Sequence, residues 1–460
     1  MKPKSNGGEL TALSLREAAL LVRDGKVSPV ELTQACLARI EALDASLHAF
    51  ITVMAESALE QARTAEAEIR RGHWRGPLHG IPIAFKDLID VAGVPTTAGS
   101  RVFHDRVAVE DAEIVRRLRT SGAVLLGKTN LHEFAYGASS VLSAYGPVHN
   151  PVAHELTVGG SSGGSAAALA AGMCYAAMGT DTGGSIRLPA ALCGVVGLKP
   201  TYGLVSLRGI VPLSWTLDHA GPMARTVADA AAVLTAIAGY DPQDPGSREF
   251  PACDYVAALE GDVEHLRLGI VQELFFDDLD PEVAAAVNAA ITQLGHMTRG
   301  ACPVQITVDN VRGVQTGEAW TYHQEFAERT PELYHPETLR RIRSGARVTV
   351  SEYIRARRRV ETLRRSVAQV FREVDVLVTP TTPVPPPAIA DLLADLEQLR
   401  AKELVMLRNT RPFNVLGLPT ISVPCGKTSA GLPVGLQLAA APGAEANVLA
   451  LANALQTMGA

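Results

Sequence analysis

Residues 159–203 read GGSSGGSAAALAAGMCYAAMGTDTGGSIRLPAALCGVVGLKPTYG, a stretch in which an alanine-rich run joins two glycine-rich turns. Taken alone, residues 160–164 fit the pattern G-x-S-x-G, in which Ser162 would be a nucleophile on a strand-to-helix turn. The second turn ends in Ser185, 24 residues beyond Ser161. Because only glycine lets successive backbone N–H groups converge on one point, this turn is suited to bind a negatively charged oxygen.

The flanking sequence alternates between apolar runs and amphipathic segments, which predicts an α/β fold with a sheet between helices. Two S-x-x-E capping boxes predict helices over about 14–24 and 29–44. The run IPIAF before Lys86 predicts a short buried strand. Further along, the pattern predicts a helix at 112–122, a strand at 123–127 and a helix at 129–137. We expect a single domain over 1–460, with N-terminal helices at about 10–75, a core at about 76–240 and a variable helical region at about 310–375.

The chain of 460 residues is 47% hydrophobic and has a formal net charge of -6, with both signs of charge interspersed. This composition is typical of an α/β enzyme and lacks the basic footprint of a nucleic-acid-binding protein. The short basic run at 340–347 is interpreted as a solvated helix face. No apolar segment reaches the roughly 18 residues that a membrane span needs. The six scattered cysteines fit buried thiols in a reducing compartment, so we expect a cytoplasmic protein.

Other catalytic patterns are either incomplete or lie in an unsuitable local context. Residues 122–129, GAVLLGKT, satisfy the phosphate-binding pattern G-x-x-x-x-G-K-[ST], but their apolar centre predicts a strand rather than a phosphate-wrapping loop. The pairs His132-Glu133 and His154-Glu155 lack the second histidine of H-E-x-x-H and are interpreted as surface or capping residues. We expect neither a metal nor another cofactor. The twelve histidines leave a histidine-based serine triad open, although none lies in a motif that favours one.

Taken together, the motifs resemble the amidase signature family over nearly the whole chain. The resemblance is strongest at GIPIAFKD (80–87), at the stretch 159–203 and at DHAGPMARTVADAA (218–231). It implies the amidase signature fold, a large mixed central β-sheet covered by helices on both faces.

By that resemblance, Lys86 is the general base, Ser161 a bridging serine after a cis peptide bond, and Ser185 the nucleophile that forms an acyl-enzyme. Burial at the end of an apolar strand would lower the pKa of Lys86, as a neutral base requires. A hydrogen-bonded chain from Lys86 through Ser161 to Ser185 would need no histidine. The resemblance also implies that the oxyanion is bound by the N–H groups of Thr182, Gly183, Gly184 and Ser185. It implies that the supporting residues are Ser162, Asp181 and Arg187. The implied substrate pocket is formed by Phe134, Ala135, Tyr136 and Gly137.

The expected function is a stand-alone serine hydrolase of amide C–N bonds, including aryl amides and carbamates (urethanes), with esterase side activity. We expect a small-molecule amide or carbamate substrate, no nucleic-acid or membrane partner, and a monomer or homodimer. The alternative within the family is the amidase subunit of a glutamine-dependent tRNA amidotransferase, which the sequence of the region 310–375 disfavours. A catalytically silent binding protein is a third possibility, disfavoured because all three triad positions are filled.

Overall fold

The computed structural model describes residues 7–309 and 311–458, and sixteen α-helices and eleven strands lie within those ranges. The helices are α1 (Gly7–Ala12), α2 (Leu15–Arg23), α3 (Pro29–Leu47), α4 (Ala55–Arg70), α5 (Glu113–Thr120), α6 (Gly163–Ala170), α7 (Arg187–Cys193), α8 (Val227–Ile237), α9 (Pro281–Met297), α10 (Arg312–Arg329), α11 (Pro336–Ser344), α12 (Val350–Ser366), α13 (Ile389–Leu393), α14 (Leu396–Met406), α15 (Arg411–Leu416) and α16 (Glu445–Met458). The strands are β1 (Phe50–Val53), β2 (Pro82–Lys86), β3 (Val124–Thr129), β4 (Ala176–Thr180), β5 (Val196–Lys199), β6 (Ala220–Ala224), β7 (Leu268–Val271), β8 (Ala301–Val304), β9 (Val376–Pro380), β10 (Thr420–Lys427) and β11 (Pro433–Ala440).

These eleven strands form one mixed sheet in the order β1-β3-β2-β4-β6-β5-β10-β11-β9-β7-β8. Strand β2 lies parallel between β3 and β4, and β7 lies parallel between β8 and β9. The other neighbouring pairs are antiparallel. The predicted large mixed sheet is therefore confirmed.

Helices cover both faces of this sheet. Successive residues of a strand point to opposite faces. In β11, Leu438 belongs to one apolar cluster and Ala439 to another, and Val378 and Leu377 of β9 divide in the same way. The larger cluster includes buried residues of α8 and α16, and the second includes residues of α12 and α15. The structure thus confirms the predicted helical cover on the two faces.

The N-terminal helices begin where the capping boxes predict. Ser14 caps α2 and Ser28 caps α3, and in each case the glutamate three residues later accepts a hydrogen bond from the cap's backbone N–H. A strand that the sequence pattern did not reveal, β1, follows α3 and pairs antiparallel with β3. The N-terminal region therefore contributes an edge strand to the sheet as well as helices.

The predicted helix at 129–137 is wrong. Only Glu133–Ala135 forms a short 3-10 turn, and Phe134 and Ala135 adopt positive φ angles of 50° and 56°. Residues with positive φ cannot continue a right-handed helix. The segment instead lies beside the first glycine-rich turn, where the N–H of His132 donates to the carbonyl of Ser161 at 3.1 Å.

The parallel strands place three chemical features at one edge of the sheet. Strand β2 ends in Lys86, its neighbour β4 ends in Thr180, and the second glycine-rich turn follows β4 directly. The apolar centre of 122–129 lies in β3, as predicted, and does not form a phosphate-wrapping loop. Within the described residues, no helix combines the length and the apolar character that crossing a membrane would require.

Candidate active site

Lys86 lies fully buried at the end of β2, and its side-chain nitrogen contacts neutral hydroxyl groups. Its Nζ donates to Ser161 Oγ at 2.7 Å and to Thr180 Oγ1 at 2.8 Å. Burial lowers the pKa of Lys86 to about 7, although the negative charges of Asp181 and Asp218 act in the opposite direction. A substantial fraction of Lys86 is therefore neutral near pH 7, and the predicted depression of its pKa is confirmed.

The first glycine-rich turn presents Ser161 to this lysine. The peptide bond between Gly160 and Ser161 is cis, as the resemblance implies. Close packing explains the neighbouring glycines, since a Cβ at Gly164 would lie 2.4 Å from the carbonyl oxygen of Ala49. The turn therefore has no room for larger side chains around Ser161.

Ser162 holds the two turns together and does not face Lys86. Its N–H donates to the carbonyl oxygen of Ser185 at 3.2 Å, and its Oγ donates to the carbonyl oxygen of Thr180 at 3.1 Å. These contacts give it the supporting position that the sequence analysis expects. They also bring Ser161 and Ser185, which are far apart in sequence, to neighbouring positions.

Ser185 ends the second turn, where several backbone N–H groups are available to a ligand. Among the described residues, the N–H groups of Thr182, Gly183 and Ser185 have no hydrogen-bond partner. Gly184 differs from the expectation, because its N–H donates to Asp181 Oδ1 at 2.7 Å. Three donors, rather than four, therefore remain for a developing oxyanion.

The link from Ser161 to Ser185 that the sequence analysis expects is not formed in this structure. Within residues 7–309 and 311–458, Ser185 Oγ has no hydrogen-bond partner, whereas Ser161 Oγ is bound to Lys86. A serine hydroxyl moves by rotation about one bond, and catalytic hydrogen bonds often form only when substrate is bound. The structure thus shows the lysine end of the relay and places the second serine beside it.

Asp181 and Arg187 stabilise the second glycine-rich turn. Asp181 accepts from the N–H groups of Gly184 and Ile186 and forms a fully buried ion pair with Arg187 at 2.9 Å. Burial would raise the pKa of Asp181, but the Arg187 guanidinium outweighs it and holds that pKa well below its usual range. Arg187 is itself saturated by polar groups from later elements, namely the Thr410 carbonyl, Asn414 and Gln437.

Asp218 is a member of the site that the sequence analysis missed. Its Oδ1 accepts from Thr182 Oγ1 at 2.5 Å, and its Oδ2 accepts from the N–H groups of Leu213 and Ser214, both at 2.9 Å. Burial raises the pKa of Asp218 to about 6, against the effect of those hydrogen bonds. Asp218 opens the quoted stretch 218–231, which is the one signal that could have marked it.

The stretch 134–137 divides between core and cavity. Phe134, Ala135 and Tyr136 belong to one buried apolar cluster, and the Phe134 ring contacts those of Phe103 and His323. Tyr136 reaches a cavity of about 250 Å³, which it lines together with several arginines. At Gly137 an added Cβ would lie 2.1 Å from the ring of His132, so the glycine is required for packing.

His132 and Glu133 are buried, so their interpretation as surface or capping residues is wrong. Burial lowers the pKa of His132 to about 3, and Glu133 accepts from Ser100 Oγ at 2.6 Å and from the N–H of His335 at 3.0 Å. Glu133 therefore fastens the 134–137 segment to the helical region that begins at α11. The other such pair, His154 and Glu155, is exposed.

The fold and the site define a class of protein: an enzyme-like α/β chain with a buried lysine, a serine bound to it, and a second serine beside unpaired backbone donors. A family model described as Amidase matches residues 31–449. The chain belongs to the amidase signature family.

Similar proteins carry two kinds of name. The chain is 42% identical to a glutamyl-tRNA(Gln) amidotransferase component of Chloroflexus aggregans, covering 97% of this chain and 96% of the relative. It is also 42% identical to an amidase of Pseudomonas putida, covering 92% and 91%. Further relatives at 40–42% identity carry the same amidotransferase name as the Chloroflexus protein.

A solved structure that is 35% identical superposes with a TM-score of 0.91, covering 97% of this chain and 99% of the other. It is described as a vestigial protein complex that reveals the evolutionary origins of an s-triazine catabolic enzyme. The names of the sequence relatives support the amidotransferase alternative more strongly than the stand-alone hydrolase.

Proposed function

We propose that this chain cleaves amide C–N bonds through an acyl-enzyme, with Ser185 as nucleophile, Ser161 as proton relay and Lys86 as general base. The observation that supports this proposal most directly is the hydrogen bond of 2.7 Å between Ser161 and a buried Lys86 whose pKa is about 7. A neutral lysine accepts a proton, whereas an ordinary exposed lysine is charged at that pH.

The proton path follows from these positions. Ser185 Oγ attacks the carbonyl carbon while its proton passes to Ser161 Oγ, and the Ser161 proton passes to Lys86 Nζ. The carbonyl oxygen becomes negative and accepts hydrogen bonds from the N–H groups of Thr182, Gly183 and Ser185. The same chain then returns a proton to the departing amine, which leaves as a neutral molecule. Water, activated by the same relay, releases the acyl group from Ser185.

The remaining site residues hold this geometry without touching the reacting atoms. Asp181 orients the turn by binding the Gly184 N–H, and Arg187 keeps Asp181 ionised. Asp218 binds the Thr182 hydroxyl and thereby fixes the first oxyanion donor. We propose these three as positioning residues and Tyr136 as part of the substrate pocket.

Covalent labelling tests the assignment of the nucleophile. A fluorophosphonate should modify Ser185, because it alone combines the relay with adjacent oxyanion donors. Ser185→Ala should abolish labelling, and the matched control Ser162→Ala should retain an adduct on Ser185. Peptide mapping that finds the adduct on Ser162 would instead restore the G-x-S-x-G interpretation.

Two substrates are candidates for this chemistry. The names of the curated relatives favour glutamine, with the released ammonia passed to a tRNA-bound acceptor in a complex with partner proteins. The similarity to the Pseudomonas putida amidase favours the other candidate, a stand-alone hydrolase of small amides, with aryl amides, esters and carbamates as its range.

Assays of the pure chain separate these candidates. A stand-alone hydrolase should turn over anilides and carbamates without nucleotide or partner protein. An amidotransferase component should release ammonia from glutamine and respond strongly to its partner proteins. Hydrolysis of glutamine but of no anilide or carbamate would exclude the stand-alone function.

A further inference from the structure

Several arginine side chains and Tyr136 line one cavity. The cavity of about 250 Å³ is lined by Tyr136 together with Arg312, Arg340, Arg341 and Arg400. The guanidinium of Arg400 lies 5.9 Å from the centre of the Tyr136 ring. The cavity therefore combines an aromatic wall with cationic groups, the combination that suits an organic anion.

The acidic side chains of this region are already engaged with arginines. Glu403 is fully buried and lies 2.6 Å from Arg341 Nη1 and 3.5 Å from Arg400 Nη1. Glu337 binds both Arg340 and Arg341, at 2.6 and 2.7 Å. Two carboxylates thus form ion pairs with three arginines, and a positive charge remains in the cavity wall.

Arg411 adds a further cation close to Arg400, Arg312 and Tyr136, and it lines a second cavity of about 280 Å³ that Arg312 also lines. Its Nη2 is buried and has no hydrogen-bond partner in the part of the chain that the structure describes. Burial lowers the pKa of Arg411 to about 10, and the charges of Arg400 and Arg312 act in the same direction. A buried guanidinium nitrogen without an acceptor is costly, and an anionic ligand would remove that cost.

Two close approaches relate Arg411 and the Tyr136 segment to the turns that carry the reacting serines. A Cβ added at Gly183 would lie 3.9 Å from Arg411 Cγ, and Thr410 Oγ1 donates to the Gly183 carbonyl at 2.7 Å. On the other side, a Cβ at Gly160 would lie 3.2 Å from the carbonyl carbon of Ala138, two residues after Tyr136. Arg411 therefore adjoins the oxyanion turn, and the segment that carries Tyr136 adjoins the Ser161 turn.

We infer that the acyl half of the substrate carries a carboxylate, which Arg411 and Arg400 bind beside Tyr136. This inference rests on the proposed amide hydrolysis at Ser185. An ammonium group next to that carboxylate would face arginines, while Glu403 and Glu337 are already paired with them. The substrate class is accordingly a monoamide of a dicarboxylic acid without an α-amino group, and glutamine fits the cavity less well.

Three matched anilides test the inference: the p-nitroanilides of glutaric acid, of pentanoic acid and of the glutamic acid side chain. The first carries a carboxylate, the second lacks it, and the third adds an ammonium group to it. We expect kcat/KM for the glutaric anilide to exceed that for the pentanoic anilide by about tenfold or more, as for a hydrogen bond to a charged group. The γ-glutamyl anilide should be a poorer substrate than the glutaric one.

Arg411→Gln should lower the ratio of kcat/KM for the glutaric and pentanoic anilides by about tenfold, chiefly by raising KM for the former. Arg365→Gln is a matched control, because that arginine is 79% exposed. It should leave the ratio unchanged. A wild-type preference for the pentanoic or the γ-glutamyl anilide would overturn the inference.

Protection against covalent labelling, which needs no turnover, distinguishes the carboxylate site from the proposed amide hydrolysis at Ser185. Glutarate should slow fluorophosphonate labelling of Ser185, and its neutral match, glutaramide, should not. Equal protection by both compounds would overturn the carboxylate site while leaving the nucleophile in place. If Ser185 is not labelled at all and no anilide is cleaved, the proposed function itself fails.

Discussion

Two lysines on neighbouring parallel strands show how the same burial can serve two purposes. Lys86 ends β2, Lys128 lies near the end of β3, and both side chains are fully buried. Among the described residues, the hydrogen-bond partners of Lys86 Nζ are hydroxyl oxygens, whereas Lys128 forms an ion pair with Asp87 at 2.8 Å and also donates to Thr96 Oγ1 at 2.8 Å. The two differ mainly in the charge of their partners.

That difference separates a base from a structural cation. Burial lowers the pKa of both lysines, but at Lys128 the adjacent Asp87 carboxylate opposes the effect most strongly. Asp87 in turn accepts from the N–H and Oγ1 of Thr97, so the Lys128 pair fastens the loop after β2. We infer that burial alone does not make a catalytic lysine, and that a neutral environment of hydroxyls is also needed.

The largest expected effect is on catalysis, from Lys86→Ala. Loss of the base should lower kcat/KM for an anilide by roughly 10²–10⁴-fold, the usual contribution of a positioned acid-base group. Hydrolysis of the matching p-nitrophenyl ester should fall less, because a phenolate leaves without a proton whereas an amine needs one. Steady-state assays on both substrates give the comparison.

Circular dichroism should show that Lys86→Ala is folded, since Lys86 forms no ion pair within the part of the chain that the structure describes. Near-normal anilide turnover by this variant, with activity lost when a histidine is replaced instead, would contradict the assignment of the base.

Lys128→Met should affect stability rather than chemistry. It removes one partner of a buried ion pair and leaves the Asp87 carboxylate uncompensated, which typically costs about 3–5 kcal/mol of unfolding free energy. Urea denaturation should show this loss, and the double variant Lys128→Met/Asp87→Asn should recover part of it. A Lys128→Met variant as stable as the wild type would mean that the ion pair has no structural role.

The smallest expected effect is a change in pH dependence, from Asp218→Asn. The negative charge of Asp218 favours the protonated form of Lys86, so its removal should lower the pKa of Lys86 further. The midpoint of the rise of kcat/KM with pH should therefore move to lower pH, whatever happens to the plateau. An unchanged midpoint, or one at higher pH, would show that Asp218 does not act on Lys86.

Local sequence signals predicted much of this structure. The capping boxes located α2 and α3, and the apolar run before Lys86 located β2 and a buried lysine. The helix prediction failed at 129–137, where Phe134 and Ala135 adopt positive φ angles in a segment that is hydrogen-bonded to the Ser161 turn. No local pattern reports such a tertiary constraint.

A long-range ion pair and a local hydrogen bond explain two further differences between the sequence predictions and the structure. The run 340–347 was interpreted as a solvated helix face, and Arg340, Arg343 and Arg347 are indeed exposed. Arg341 is the exception, at only 4% exposed, because Glu403, 62 residues away, binds it. The role of Gly184 was missed for a local reason, since its glycine-rich context did not reveal that its N–H donates to the Asp181 side chain three residues earlier.

The pH dependence of anilide hydrolysis tests the central claim about Lys86 most directly. If neutral Lys86 is the base, kcat/KM is low where the lysine is protonated, rises through a midpoint near its pKa of about 7, and is level in the alkaline range. The residual activity of Lys86→Ala should lack this transition. A wild-type midpoint near the ordinary lysine value, roughly 10.4, or the same midpoint in Lys86→Ala, would contradict the account.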